Sequence, residues 1–206
     1  VGAALALGGC TASGNSPAAI EEQTAVRPLA VPELLRGEAD AEGTVHYSLD
    51  AQPGRTDFGQ GGEADTLGLN GSYLGPTLVM KRGSEVQADV TNSLAERTTL
   101  HWHGMHVPAR MDGGPHQMIE PGSTWRPRWT IDQPAASLWY HSHPHGETAQ
   151  QVYRGLAGML LIEDPAAAAA GLPHDYGVDD LPLVVQDKTF NDDGSKSCAF
   201  IFGRFT

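Results

Sequence analysis

Hydrophobic and polar residues alternate along several short stretches of the chain, which is typical of strands whose two faces meet different surroundings. The clearest case is residues 85–90, where Val86, Ala88 and Val90 fall on one face. Comparable runs predict further strands at residues 44–49, 98–103, 124–131, 134–141 and 156–163. Since helices do not alternate with these strands, the pattern predicts an all-β fold, an antiparallel Greek-key β-sandwich.

The segments between the predicted strands are mostly loops. Residues 52–70 are rich in Gly, Asp and Gln, and residues 107–122 are rich in Gly and Pro. One short helix is predicted over residues 147–154, where Gly155 ends it. Much of the chain is therefore expected to lie in loops, and the strands are expected to form the core.

Composition agrees with this picture and excludes one class of partner. The chain has 206 residues, 40% of them hydrophobic, with 25 Gly and 14 Pro, which suits one β domain with flanking segments. The formal net charge is −12. Nucleic-acid binding needs clustered Lys and Arg against the phosphates, so we expect no nucleic-acid partner.

Two His-x-His pairs are the strongest chemical signal in the chain. Residues i and i+2 of a strand share one face, so His101 and His103 project together, as do His141 and His143. One such pair could arise by chance, but two pairs, each beside a Trp, among only nine His are hard to dismiss. Imidazole suits zinc, copper, iron and nickel, so the spacing predicts a metal site without naming the metal.

Four motifs in a fixed order resemble the first cupredoxin domain of a multicopper oxidase, most closely those of the bacterial copper-efflux oxidase, spore-coat laccase and bilirubin oxidase group. The resemblance covers roughly residues 44–164 and continues weakly to about residue 193. It implies a cupredoxin-like Greek-key β-sandwich and names copper as the metal. The motifs are His101-Trp102-His103-Gly104, Met111-Asp112-Gly113-Gly114-Pro115, His141-Ser142-His143-Pro144-His145-Gly146 and Gly155-Leu156-Ala157-Gly158.

The resemblance also implies a role for each motif residue at a three-copper cluster that reduces dioxygen to water. His101 would bind the type 2 copper, His103 and His141 one type 3 copper, and His143 the other. Asp112 matches the family position whose carboxylate helps to supply protons, although an Asp before Gly-Gly is also a common turn signal. We expect His106, His116 and His145 to lie outside the ligand set.

The sequence lacks the electron-entry site that the family also uses. A type 1 copper needs a Cys thiolate together with two His and often a Met. The two cysteines are Cys10 and Cys198, and Cys198 has no flanking His and no following Met. We therefore expect the chain to carry half of the oxygen-reducing cluster and no type 1 copper.

The segments outside residues 44–164 predict export and a second domain. Residues 1–10 read as the remnant of a signal with a lipobox that ends at Cys10; an ordinary secretory leader is the alternative. The protein is then extracellular or periplasmic, with possible membrane anchoring through a lipidated Cys10. Residues 11–43 read as a flexible tether, 165–180 as a linker, and 181–206 as the incomplete start of a second cupredoxin domain, truncated or frameshifted.

Three functions compete on these observations. The first is the N-terminal part of an exported multicopper oxidase that oxidises phenols or cuprous ion with dioxygen, a part we expect to be inactive alone. The second is a stand-alone copper-binding cupredoxin module without turnover. The third is a structural relative that has lost its metal, and the two retained His pairs speak against it.

Overall fold

The computed structural model describes residues 28–195, and its strands form two sheets that pack face to face. The helices are α1 (Thr148–Arg154), α2 (Pro165–Ala168) and a 3₁₀ turn at Ala109–Met111. The strands in chain order are β1 (Leu34–Leu35), β2 (Glu38–Ala39), β3 (Val45–Asp57), β4 (Glu63–Leu69), β5 (Thr77–Lys81), β6 (Glu85–Asn92), β7 (His101–His103), β8 (Thr124–Trp125), β9 (Arg128–Thr130), β10 (Ala136–His141) and β11 (Ala157–Glu163).

The predicted β-sandwich is confirmed, but the prediction that it is purely antiparallel is wrong. One sheet has the order β1-β5-β11-β10-β7; the other has the order β2-β3-β6-β8, with β4 beside β3 and β9 beside β6. The pairs β1/β5, β5/β11 and β3/β6 are parallel. After β3 the chain forms β4 in the same sheet, crosses over to form β5 in the opposite sheet, and returns to form β6. Strand β6 can therefore lie beside β3 and run in the same direction.

Apolar side chains from both sheets form one core. Strand β6 buries Val86, Ala88 and Val90 on one face, as the alternation predicted. Trp102 of β7 is fully buried and so points away from its two His neighbours. The Tyr47 hydroxyl on β3 donates a hydrogen bond to the Val79 carbonyl on β5, 2.7 Å away, and thereby ties the two sheets together.

The loop predicted over residues 52–70 is largely a hairpin instead. Strand β3 continues to Asp57 and pairs with β4 over seven residues. Gly54 and Gly68, which suggested a loop, are needed because a Cβ on either would meet the backbone of residues 71–73. These glycines permit close backbone packing within a strand rather than a turn.

Described parts of both flanking segments contact the sandwich. Strands β1 and β2 lie inside residues 11–43, the range predicted as a flexible tether. The Tyr176 hydroxyl contacts Thr77 and the Pro32 carbonyl, so part of the predicted linker packs against the sandwich. Residues 181–188 resemble a strand in sequence but pair with no strand in the described part of the chain, and Val185 is 95% exposed.

Several predictions concern residues outside 28–195. The lipobox at Cys10, the signal remnant and most of the tether lie there, as does Cys198. Among the residues that the structure describes, none belongs to a helix long and apolar enough to span a membrane.

Candidate metal centre

Pairing between β7 and β10 brings the two His-x-His motifs together. The strands are antiparallel neighbours, with His101 opposite His141 and His103 opposite Trp139. Because Trp102 is fully buried in the core, His101 and His103 must project from the outer face of this sheet. The same face of β10 carries His141, so histidines that are distant in sequence share one patch.

The four imidazoles form a compact cluster. The His101 ring centroid lies 5.5 Å from that of His103 and 5.3 Å from those of both His141 and His143. Ring nitrogens of His101, His103 and His141 all lie within 4.8 Å of one another. His143 packs against this group, with its ring centroid 5.6 Å from that of His141, but its nitrogens are not part of the tight triplet.

Hydrogen bonds fix which nitrogen two of these rings present. His101 Nδ1 lies 2.9 Å from the Asp112 carbonyl oxygen, and His141 Nδ1 lies 2.8 Å from the Ser142 carbonyl oxygen. A carbonyl only accepts, so each Nδ1 carries the proton and donates. The Nε2 atoms of His101 and His141 then carry the lone pairs that would hold a metal, the arrangement that metal-binding histidines commonly show.

Burial keeps one ring neutral. The pKa of His141 is lowered to about 4, chiefly because burial disfavours the charged ring; the neighbouring imidazoles of His101, His103 and His143 lower it further, while the bond to Ser142 opposes the shift. A metal binds only the neutral imidazole. His141 is therefore in its metal-binding form at neutral pH.

His143 sits just beyond the end of β10, where the ladder to β7 has stopped. Its backbone N–H donates to the Thr99 hydroxyl at 2.7 Å. Its ring Nδ1 is buried and has no hydrogen-bond partner among the described residues. A buried nitrogen without a partner is costly, so this position suits a bound ion or a donor or acceptor from outside residues 28–195.

Asp112 lies against the first histidine of the cluster. Besides the carbonyl contact, one of its carboxylate oxygens lies 3.2 Å from His101 Nδ1, and the side chain is partly exposed. Gly113, which follows it, has a φ of +73°, and a Cβ there would lie 1.7 Å from the Leu100 carbonyl oxygen. The loop can approach β7 this closely only because residue 113 is glycine.

The three other histidines of this region, His106, His116 and His145, are exposed, and none belongs to the group of converging nitrogens. Three residues that the sequence did not single out lie on or beside the site. Trp139 stacks on His141 with 4.0 Å between ring centroids, Thr99 binds the His143 backbone, and Gln151 binds Thr98 beside it. Only Trp139, beside the motif, carried any sequence signal.

The donor set fits a transition metal. His103 Nδ1 lies 3.2 Å from His141 Nε2. Two imidazole nitrogens on one tetrahedral metal, each about 2.0–2.1 Å from it, would lie about 3.3 Å apart. All the clustered donors are nitrogens, which suits copper, zinc, iron or nickel rather than calcium or magnesium.

Comparison with known proteins identifies the relatives of this arrangement. Residues 50–167 match the family model described as multicopper oxidase. The multicopper oxidase mco of Staphylococcus aureus is 46% identical over 159 residues, which cover 77% of this chain and 35% of that protein. The cell division protein FtsP of Shigella dysenteriae is 40% identical over 169 residues, covering 82% of this chain and 35% of that protein. The chain thus spans about a third of the length of these relatives.

Solved structures show the same fold. The laccase-like multi-copper oxidase CueO of Ochrobactrum sp. superposes with a TM-score of 0.74 at 47% identity, covering 82% of this chain and 37% of that one. A laccase from Pediococcus acidilactici gives 0.79 at 38% identity, covering 83% and 37%. A Campylobacter jejuni multicopper oxidase described as a metallo-oxidase gives 0.60 at 34% identity, covering 66% and 29%. The cupredoxin-like sandwich is confirmed by these neighbours, and their shared metal is copper.

Proposed function

The chain belongs to the multicopper oxidase family, and from that premise we propose that its clustered histidines form one half of the copper cluster at which such an oxidase reduces dioxygen to water. The observation that carries the proposal is the 3.2 Å approach of His103 Nδ1 to His141 Nε2, with His101 in the same group. The whole oxidase couples this four-electron reduction to one-electron oxidation of phenols or cuprous ion.

Each histidine has its own place in the proposed cluster. His103 and His141, whose nitrogens are the closest pair, would hold one type 3 copper. His143 would hold the other type 3 copper, and its buried Nδ1 has no partner among the described residues. His101 would hold the type 2 copper through Nε2, since its Nδ1 donates to Asp112. Bound copper would supply one-electron redox chemistry at this site.

The surrounding residues orient the ligands and supply protons. The Asp112 carbonyl holds the His101 ring in one tautomer, and its partly exposed carboxylate lies beside that ring. Reduction of dioxygen to water consumes protons, so a carboxylic acid at this position has a chemical purpose. Trp139 covers one face of His141 and limits the access of water to it.

The electron donor and the cell compartment are finer parts of the proposal. One related structure is described as active towards lignin model compounds and another as a metallo-oxidase, which supports a phenol or cuprous ion as donor. The apolar residues before Cys10 support export, and the lipobox supports an anchor at the outer side of the cell membrane.

A stand-alone copper-binding module is the competing function. It needs only the clustered histidines, whereas an oxidase also needs a type 1 copper site with a Cys thiolate. A non-oxidase role also occurs among relatives by name, since one is a cell division protein. The cluster geometry favours copper over a purely structural role, while the family favours an oxidase.

A chimera tests the proposal. The matched region of the Staphylococcus aureus oxidase would be exchanged for this chain's residues, and oxygen uptake would be measured with a phenol and with cuprous ion. We expect copper-loaded chimera to take up oxygen, His143→Ala to abolish the uptake, and exposed His106→Ala to leave it intact. Uptake that survives replacement of all four clustered histidines by Ala would contradict the proposal.

A further inference from the structure

A buried polar network lies directly behind the two His-x-His motifs. Thr98, Thr99 and Gln151 are each only 1% exposed, although all three are polar. Buried polar groups are kept in proteins where their hydrogen bonds are satisfied and hold segments in a unique arrangement. These three residues join the segment before β7, the loop after β10 and helix α1.

The Thr99 side chain provides a hydrogen bond where backbone pairing between β7 and β10 has ended. The last pair of that ladder is His101 with His141, so the continued register would place Thr99 opposite His143. The chain after His141 turns away into the loop that leads to α1. The N–H of His143 donates instead to the Thr99 hydroxyl at 2.7 Å.

Gln151 binds the two residues that precede Thr99. Its side-chain oxygen accepts from the Thr98 hydroxyl at 2.8 Å, and its side-chain nitrogen donates to the Arg97 carbonyl at 3.0 Å. Helix α1 follows the second His motif directly, so Gln151 connects the far end of that loop to the segment that precedes the first motif. The His143 loop is therefore closed at both ends by side-chain bonds to residues 97–99.

We infer that Thr99, supported by Gln151, is a positioning residue that sets the place of His143 relative to His101. This inference rests on the proposed copper site. Neither Thr99 nor Gln151 is among the clustered ring nitrogens, so each acts through the backbone that carries a ligand. Removing the Thr99 hydroxyl leaves the part-buried His143 N–H without its acceptor, so the loop must move to find another.

The test compares copper affinity in matched variants of the full 206-residue chain. Thr99→Val keeps the volume and removes the acceptor, and Thr99→Ser restores a hydroxyl. Thr66→Val is the control, because Thr66 is equally buried and donates to the Ser72 carbonyl from β4 of the other sheet. Titration with Cu²⁺ against a competing chelator measures affinity, and thermal unfolding of the metal-free proteins measures stability.

We expect Thr99→Val to weaken Cu²⁺ binding by about tenfold. Loss of a residue that supports a metal ligand typically weakens metal binding about 10–100-fold, and this value is at the lower end of that range. Thr99→Ser should recover most of that loss. Thr66→Val should lower the melting temperature without changing the Cu²⁺ affinity. Equal affinities in Thr99→Val and wild type would overturn the inference and leave the copper site standing, whereas a wild type that binds no Cu²⁺ would remove both.

A second measurement needs no variant. Amide hydrogen exchange of wild-type protein, read by NMR, should show a protected His143 N–H even though His143 lies outside any strand. Exchange of that amide at the rate of an open loop would overturn the inference even if Thr99→Val failed to fold.

Discussion

The Nδ1 atom of His103 and the Nε2 atom of His141 lie 3.2 Å apart, although 38 residues separate them in the chain. His141 carries its proton on Nδ1, so His103 Nδ1–H donates the hydrogen bond and His141 Nε2 accepts it. For both of these nitrogens to hold a metal, the His103 proton would move to Nε2 of the same ring, with no net release of a proton. The two side chains should therefore bind a metal as one unit.

Loss of either member of this pair should weaken copper binding. His103→Ala or His141→Ala should each weaken binding of Cu²⁺ by the chain more than tenfold, since even partners of ligands typically contribute about 10–100-fold. His106→Ala and His145→Ala are matched controls, because both side chains are exposed. Equilibrium dialysis gives the comparison, and equal losses in all four variants would argue against a defined site.

The role of Asp112 in proton supply can be separated from its role in holding His101. Asp112→Asn keeps the carbonyl that binds His101 Nδ1 and removes the acid. In the copper-loaded chimera we expect unchanged copper content and slower oxygen uptake. Asp132→Asn, at an exposed acid, is the control. Uptake at the wild-type rate would rule out proton supply by Asp112 and leave its carbonyl as the group that holds His101.

Adjacent glycines in the Asp112 loop should respond very differently to alanine. Gly113→Ala places a Cβ against the Leu100 carbonyl in a left-handed conformation, so it should lower the free energy of unfolding by about 1–3 kcal/mol or more. In Gly114→Ala the added Cβ meets no atom within 4 Å, so the free energy of unfolding should change little. Urea denaturation measures both, and similar values for the two would show that the loop does not pack against β7 in this way.

Alkaline pH should remove the stabilisation that comes from the hydrogen bond between the Tyr47 hydroxyl and the Val79 carbonyl. Burial raises the pKa of Tyr47 to about 12 from its ordinary value of 10.0. The neutral form is thus favoured in the folded state, so its contribution is complete below pH 10 and is lost as the pH rises towards 12. Tyr47→Phe loses the hydrogen bond, worth about 1 kcal/mol, but cannot ionise.

The difference in unfolding free energy between wild type and Tyr47→Phe should therefore narrow above pH 10. Denaturation curves recorded between pH 8 and pH 11 test this, since the other tyrosines are common to both proteins. A constant difference across that range would show that Tyr47 ionises as easily in the folded chain as in the unfolded one.

Much of the site was predictable because a strand has a fixed period. The i, i+2 spacing placed His101 with His103, and the order of the motifs gave the family and the fold. Nothing in that spacing gave the register between β7 and β10, which are neighbours in one sheet but are joined by a long connection in the chain. Thr99 and Gln151 were missed for the same reason, since their contacts span 44 residues from Thr99 to His143 and 53 from Gln151 to Thr98.

The errors in the fold also have physical causes. Gly54 and Gly68 read as loop residues in sequence, whereas in the hairpin they let another backbone segment approach. The parallel pairs were missed because strand direction depends on crossings between the sheets, which leave no periodic pattern. Residues 181–188 pair with no strand within residues 28–195, so the second domain predicted to begin there stays a prediction.

Anomalous diffraction at the copper absorption edge, from crystals of the chain soaked with Cu²⁺, tests the central claim most directly. We predict a peak between His103 Nδ1 and His141 Nε2, with occupancy that disappears in His141→Ala crystals prepared in the same way. A map with no peak at this pair, or with copper bound only at the exposed His106, His116 or His145, would contradict the copper site.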